Sequence, residues 1–333
     1  MALAELPGMS IQVDAIPAVI AEPQKPAELC WVMVERCPAC GSGSCASRVM
    51  LPDRHYVFGA EQVPLPESGV SVSVCGNCGL VYKSALPAPA FLANIFRRQA
   101  AIKWAATHDF SPELAFLQGL KGSGDFDLLD VGAAGGALLM ACAANRIGGR
   151  HSALDVMRYP GIDEYLTGEF IEGFLDDASL SWSREPYEIV TLFDVLEHLY
   201  QPQLAFENMR MLVKPGGLVL IETGNVANFW PARFGINQWW YVRLLEHHIF
   251  WSRHSLEKIA AAHGFEIIFW KEQRHKSRRN IVLAWAISDF LKTCFYCMTG
   301  NYYSAVAQAL GKQGNQPWYP FAQDHFQACL IKR

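Results

Sequence analysis

The segment Leu128-Leu-Asp-Val-Gly-Ala-Ala-Gly-Gly-Ala137 constrains this chain more than any other. It is an apolar strand that ends in an acid, followed by a glycine-rich turn and a helix start made of small residues. Such a turn lets the backbone come close to a polar or anionic ligand at a helix N-terminus. Alone, it fits several nucleotide-binding folds.

The surrounding pattern narrows the choice. From about residue 125 onward, strand and helix patterns alternate, as they do in a parallel α/β sheet. Strands are predicted at Asp127–Val131, Ser152–Asp155, Phe170–Glu172, Glu188–Phe193, Leu218–Glu222, Phe265–Trp270 and Phe326–Ile331. A helix runs from Gly136 to about Asn145. A second covers about Gln203–Leu212 and stops at Pro215-Gly216-Gly217, and a third covers Ser252–His263, with Ser252 as N-cap and Gly264 as its stop. An earlier helix is expected near Phe91–Ala106. The fold class is therefore α/β, built on a largely parallel sheet of seven strands.

An N-terminal module precedes that sheet. Cys37-Pro-Ala-Cys40-Gly41 and Cys75-Gly-Asn-Cys78-Gly79 are two matching Cys-x2-Cys turns. Each turn directs two thiolates at one ion, and together they supply the four sulfurs of a closed tetrahedral zinc site. With no open position, this metal is expected to stabilise a small module and to take no part in chemistry. Cys45 lacks a partner at that spacing. Cys294 and Cys297 have the spacing but lie in an apolar helical stretch without the glycine, and read as core thiols.

These signals divide the 333 residues into a flexible arm (1–29), a zinc-binding module (30–84) and a sheet domain (85–333). The sheet domain carries an insertion at about 272–323. The insertion opens with a basic run and continues as an apolar, helical stretch from Ile281 to Met298. Asp289 and Lys292 make that stretch a poor membrane span. Two readings stand: a helix packed on the sheet, or a peripheral membrane or partner contact through about 280–300.

The hydrophobic fraction of 51% and charged fraction of 18% describe a globular chain with a sizeable core. A net charge of −4 supplies no global basic field, so no nucleic-acid partner is expected. The N-terminal residues lack a basic leader and a continuous apolar run, and the ten cysteines are not spaced as a secreted disulfide framework. A cytoplasmic location is the expectation.

Phe193-Asp-Val-Leu-Glu-His198 and Lys214-Pro-Gly-Gly217, taken with the glycine turn, resemble the class I S-adenosylmethionine-dependent methyltransferases. The turn Asp130-Val-Gly132-Ala-Ala134-Gly135-Gly136 looks like their motif I, with Ala134 in place of the second glycine. The resemblance implies that Gly132 and Gly136 admit the methionine part of the cofactor and that Asp130 helps hold its amino group. Asp155, 19 residues after Gly136, is the expected ribose clamp, because a carboxylate can accept bonds from both hydroxyls. Asp176 follows the third strand, where the family contacts adenine; Leu175 could make that contact instead. Asp194 completes the expected cofactor set.

Methyl transfer needs a positioned acceptor and, for some acceptors, a base. Two clusters fall at the carboxyl edge of the sheet: Glu197-His198 and Glu246-His247-His248. The zinc module joined to a methyltransferase core is similar to the deoxysugar C-methyltransferases, which act on nucleotide-linked keto sugars. By that resemblance His198, Glu246 and His247 would bind the sugar and assist proton removal. The core also resembles the quinone-pathway O-methyltransferases, for which the acceptor would be a phenolic hydroxyl. The expected activity is methyl transfer to carbon or oxygen of a small molecule. RNA or protein methylation, and a cofactor-binding scaffold without chemistry, are the rivals.

Overall fold

The computed structural model describes residues 29–58, 61–103, 109–121, 124–180, 185–275 and 323–333, with 287, 290, 291 and 294. The expected arm, apart from its last residue, and most of the insertion lie outside the described residues. Within the insertion, Ile287, Phe290 and Leu291 are helical and exposed, while Cys294 is half-buried. Among the described residues, no helix is long and apolar enough to cross a membrane.

The main sheet has seven strands: β1 Leu128–Val131, β2 His151–Asp155, β3 Phe170–Glu172, β4 Tyr187–Phe193, β5 Val213–Gly224, β6 Phe265–Gln273 and β7 His325–Lys332. Their spatial order is β3-β2-β1-β4-β5-β7-β6. The first five strands pair in parallel, and β7 inserts antiparallel between β5 and β6. β1 and β2 are buried along their whole length, as central strands covered on both faces must be. Helix α1 (Pro89–Lys103) and α2 (Ser111–Lys121) precede the sheet. α3 (Ala137–Ala144) follows the glycine turn, α4 (Pro202–Leu212) precedes β5, α5 (Phe229–Phe234) follows it, and α6 (Arg253–Ala262) leads into β6.

The start of β5 differs from the sequence reading. Lys214-Pro-Gly-Gly217 lies inside β5, which begins at Val213 because that residue already pairs with Tyr187. The register shifts between Tyr187 and Ile189, so the Pro-Gly-Gly segment is absorbed as an irregularity of an ongoing strand. α6 begins as expected, with a reciprocal cap in which Ser252 Oγ accepts from Ser255 N–H and Ser255 Oγ accepts from Ser252 N–H.

The N-terminal module is not closed on itself. Its sheet consists of Cys45–Met50, Ser71–Cys75, Val81–Lys83 and a fourth strand, Ile249–Phe250, contributed from far along the chain. Ile249 pairs with Tyr82, and Phe250 with Val81. Arg243 donates to both oxygens of Asp53, and Lys258 Nζ donates to the Asn77 carbonyl at 2.6 Å. The module and the main sheet share core: Cys37, Cys75, Leu80 and Tyr82 pack with Ile249, Trp251 and the β4 and β5 residues. The segment after Glu246 is therefore a strand of the module as well as part of the larger domain.

Candidate functional site

A cavity of about 710 Å³ opens at the carboxyl ends of β1, β2 and β4. Small-molecule sites span about 300–1,000 Å³, and this edge is where open α/β sheets bind ligands. One end of the cavity is the glycine turn. The other gathers histidines and carboxylates from three distant segments.

At the turn, Asp130 is buried and accepts from Thr191 Oγ1 at 2.6 Å, which locks its rotamer. Gly132 has φ 70°, and a Cβ there would come within 2.5 Å of Val195 Cγ2, so glycine is required twice over. Ala134 also takes a left-handed backbone, with φ 47°. Its N–H donates to Asp155 Oδ2 at 2.8 Å, which holds the turn against β2. Gly132, Ala134 and Gly135 line the cavity, but Gly136 does not. Gly136 has φ 76° and faces Ile162 (its Cβ would lie 3.1 Å from Cγ1), so its part is to turn the chain into α3. At Gly135, which lines the cavity, an added Cβ would meet open space.

Asp155 and Asp176, two further carboxylates of the expected cofactor set, differ. Asp155 Oδ1 accepts from Met157 N–H at 3.2 Å, and the side chain still lines the cavity. Burial raises its carboxyl to about 6, against the pull of the backbone donors. Asp176 spends Oδ2 on the N–H groups of Tyr200 and Gln201, at 2.7 and 2.9 Å. It anchors the start of α4 while lining the cavity beside Leu175. Burial raises its carboxyl as well.

At the other end, Glu197 and His198 lie on the short turn Leu196–His198 that follows β4. His198 Nδ1 lies 2.7 Å from the Glu246 carbonyl, and His247 Nδ1 lies 3.1 Å from the Tyr241 carbonyl. A carbonyl only accepts, so both Nδ1 atoms carry a proton, and Nε2 is the second nitrogen of each ring. Both Nε2 atoms stand 4.0 Å from Glu197 Oε1. Glu197 is fully buried and accepts from Tyr241 Oη and from Thr223 Oγ1. Burial raises its carboxyl, and the His198 charge opposes the rise. The carboxylate central to the histidine pair is thus Glu197; Glu246 contributes its carbonyl to His198 and lines the cavity.

His247 lines the cavity and His248 does not. His248 is fully buried, packs against the Tyr200 ring at 4.3 Å, and burial holds it neutral. Its backbone ties the segment on both sides: its N–H donates to the Glu197 carbonyl at 2.7 Å, and its carbonyl accepts from Lys83 N–H at 3.0 Å. Lys83, on the module, is buried, donates through Nζ to the Leu244 carbonyl and sits 4.4 Å over the Tyr56 ring. Burial pushes its amine down to about 7, against Glu246 and Asp53.

Asp194, with φ 55°, is held by its N–H on the Glu222 carbonyl at 2.8 Å and lines the cavity. Around it stand His275 and His325, which the sequence reading did not single out. Neither lies in a local motif: His275 sits inside a basic run and His325 at the first position of the last strand.

In the module, the Cys37 and Cys78 sulfurs are 3.5 Å apart, as are those of Cys40 and Cys75, and all four lie within 4.8 Å of one another. Tetrahedral zinc with Zn–S near 2.3 Å would set its sulfurs about 3.8 Å apart, so the four residues fit that ion. The shared contact between the Cys37 and Cys78 thiols lowers Cys78 and raises Cys37, so one of the two gives up its proton before the other. Cys45 stands outside the cluster, with its thiol donating to the Ser47 carbonyl at 3.1 Å.

The order of the sheet, the glycine turn and the acid–base cluster at its edge define a Rossmann-like enzyme fold. The methyltransferase domain family matches residues 94–268, just over half of the chain, and the protein belongs to that family. Curated relatives include the ubiquinone biosynthesis O-methyltransferase of Paraburkholderia xenovorans (strain LB400), 32% identical over 102 residues, 29% of this chain and 44% of that protein. The enzyme of the same name from Shewanella sp. (strain ANA-3) is 31% identical over 146 residues, 39% of this chain and 60% of the relative. The chain thus spans about half the length of the curated relatives it matches. Among solved structures, the 1,6-didemethyltoxoflavin-N1-methyltransferase of Burkholderia thailandensis, with bound 1,6-didemethyltoxoflavin and S-adenosylhomocysteine, aligns over 84% of this chain and 99% of that one. The TM-score is 0.47 and the identity 12%.

Proposed function

We propose that the protein transfers a methyl group from S-adenosylmethionine to an oxygen or carbon atom of a small molecule. The observation that carries this is one cavity with the glycine turn at one end and Glu197, His198 and His247 at the other. When bound, the sulfonium supplies the activated methyl group. Asp130 and the backbone of Gly132 to Gly135 would hold its methionine part, and Asp155 the ribose hydroxyls. Asp176 or Leu175 would flank the adenine, and Asp194 would stand near the reacting centre.

His198 or His247 removes the acceptor proton through Nε2. Glu197, beside both rings, stabilises the imidazolium that forms, and Tyr241 and Thr223 hold that carboxylate in place. Glu246 positions His198 through its carbonyl. The four cysteines would hold a structural zinc that fixes the strand Val81–Lys83, and through it Ile249–Phe250, at the site.

Two acceptors remain in competition. The name shared by the curated relatives favours an aromatic hydroxyl of the kind methylated in ubiquinone biosynthesis. The zinc module resembles that of enzymes acting on nucleotide-linked keto sugars. Mass spectrometry of the protein incubated with S-adenosylmethionine and an acceptor extract from cells lacking it decides. A new product heavier by one methyl group supports the proposal, and its fragmentation assigns carbon or oxygen. No product from an extract that supports cofactor binding moves the reading to a scaffold without chemistry.

A further inference from the structure

We propose that Asp194, His275 and His325 form a second metal centre, separate from the four cysteines, that binds a divalent first-row transition cation at the wall of the cavity. Their ligand atoms converge within 4.8 Å of one another. His275 Nε2 lies 3.5 Å from Asp194 Oδ2, and His325 Nε2 lies 4.0 Å from Asp194 Oδ1. A cation with bonds near 2.1 Å sets neighbouring ligand atoms about 3.0–3.5 Å apart, so small side-chain rotations close the set.

The support around the three residues is that of a built site. His325 is fully buried at the start of β7, and its Nδ1 lies 3.1 Å from Asp324 Oδ1. That contact turns Nε2 toward Asp194, and Nε2 has no hydrogen-bond partner among the described residues. Asp324 is itself fixed, accepting from Trp240 Nε1 and from the His275 backbone N–H, each at 3.3 Å. A carboxylate behind a histidine, holding its tautomer and aim, is the usual outer support of a metal-bound imidazole. The backbone of Asp194 is pinned to Glu222 in a conformation that non-glycine residues seldom adopt.

Ligand chemistry selects the ion. Two imidazoles and one carboxylate suit zinc, iron, manganese, cobalt or nickel, whereas calcium and magnesium prefer all-oxygen sets. The rival grouping, Glu197 with His198 and His247, is less suited, because both Glu197 oxygens already accept a hydroxyl. Asp194 and His275 line the cavity, so the open coordination positions face it. An acceptor hydroxyl bound there would be made more acidic and would yield its proton more readily to His198 or His247. That role rests on the methyl-transfer reading; the binding of the ion does not.

The test uses the full-length, untagged chain, stripped of metal and titrated with cobalt(II) alone, without substrate or turnover. Cobalt on the cysteines carries intense thiolate charge-transfer bands, and cobalt on two histidines and a carboxylate does not. The expected result is one equivalent free of thiolate bands. Asp194→Asn and His275→Ala remove it, while the thiolate bands persist and report an intact fold. Asp324→Asn, which alters only the aim of His325, weakens that equivalent about 10–100-fold. The proposal is overturned if all bound cobalt carries thiolate bands, or if the thiolate-free equivalent survives in both ligand variants. Absence of methyl transfer with the band-free equivalent present would refute the functional reading and leave the metal site standing.

Discussion

The two ends of the cavity are built in opposite ways. The cofactor end is local: Asp130 to Gly135 form one turn, and Asp155, on the neighbouring strand, clips that turn through the Ala134 N–H. The acceptor end is assembled from the β4 turn and the segment Tyr241 to His248, which a strand of the N-terminal module holds in place. A local site survives much change elsewhere, because few distant contacts set its shape. An assembled site depends on everything that holds its pieces in register.

The largest effect that separates the two ends comes from one exchange at each. His247→Ala should lower turnover about 10²–10³-fold and leave the cofactor Kd within about twofold. Asp155→Ala should instead weaken the cofactor about tenfold or more, since a clamp to two hydroxyls is lost. Equilibrium binding alongside initial rates reads both, and equal loss of both quantities in His247→Ala would erase the distinction.

Next in size is removal of the cysteine cluster. Cys75→Ser should cost about 3 kcal/mol of stability, a fall in Tm of about 6–12 °C, because three buried thiols and the half-buried Cys40 would lose their common ion. Because Ile249–Phe250 is a strand of that module, turnover should fall further than cofactor affinity. Calorimetry and binding below the lowered Tm test this. Retention of full turnover would mean that the acceptor end stands without the module.

Acidity gives a smaller and directional effect. The raised carboxyl of Asp155 means that the folded state holds its proton more tightly than the unfolded chain does. Its contribution to stability is therefore present below the ordinary carboxylate range and lost as pH rises toward about 6. Ligand binding should run the other way, because on the proposed role the ionised form would accept the ribose hydroxyls. Cofactor affinity should fall by close to tenfold per pH unit below 6, and Asp155→Asn should flatten the profile.

The smallest effect is at Ala134. Glycine relieves its left-handed backbone, so Ala134→Gly should stabilise the protein by up to about 1 kcal/mol with the cavity unchanged. Denaturant melts resolve that difference, and a loss of stability would show that the Asp155 bond compensates the strain.

This contrast also explains what the sequence reveals. Each of the seven strands, the glycine turn, Asp155 and the paired cysteine turns is legible, because each is encoded within a few consecutive residues. The central carboxylate is less so. Glu197 and Glu246 each precede a histidine, and only the fold shows that Glu197 faces both His198 and His247. His275 and His325 carry no local signal, since their partner Asp194 lies on a different strand end. The two-residue strand Ile249–Phe250 is too short to register as a period, and its partner Val81–Lys83 is remote in the chain.

That borrowed strand has a consequence for how the molecule is made. A ribosome delivers the module's own strands and both cysteine turns early, yet the outer edge of their sheet arrives only when residue 250 has emerged. Until then Val81–Lys83 is an open edge, and Lys83 lacks the carbonyls of Leu244 and His248 that it will meet. The nascent chain must shelter that edge through the synthesis of most of the larger domain. Its slowest step in folding should be the closing of this long-range pairing, the same event that completes the acceptor site.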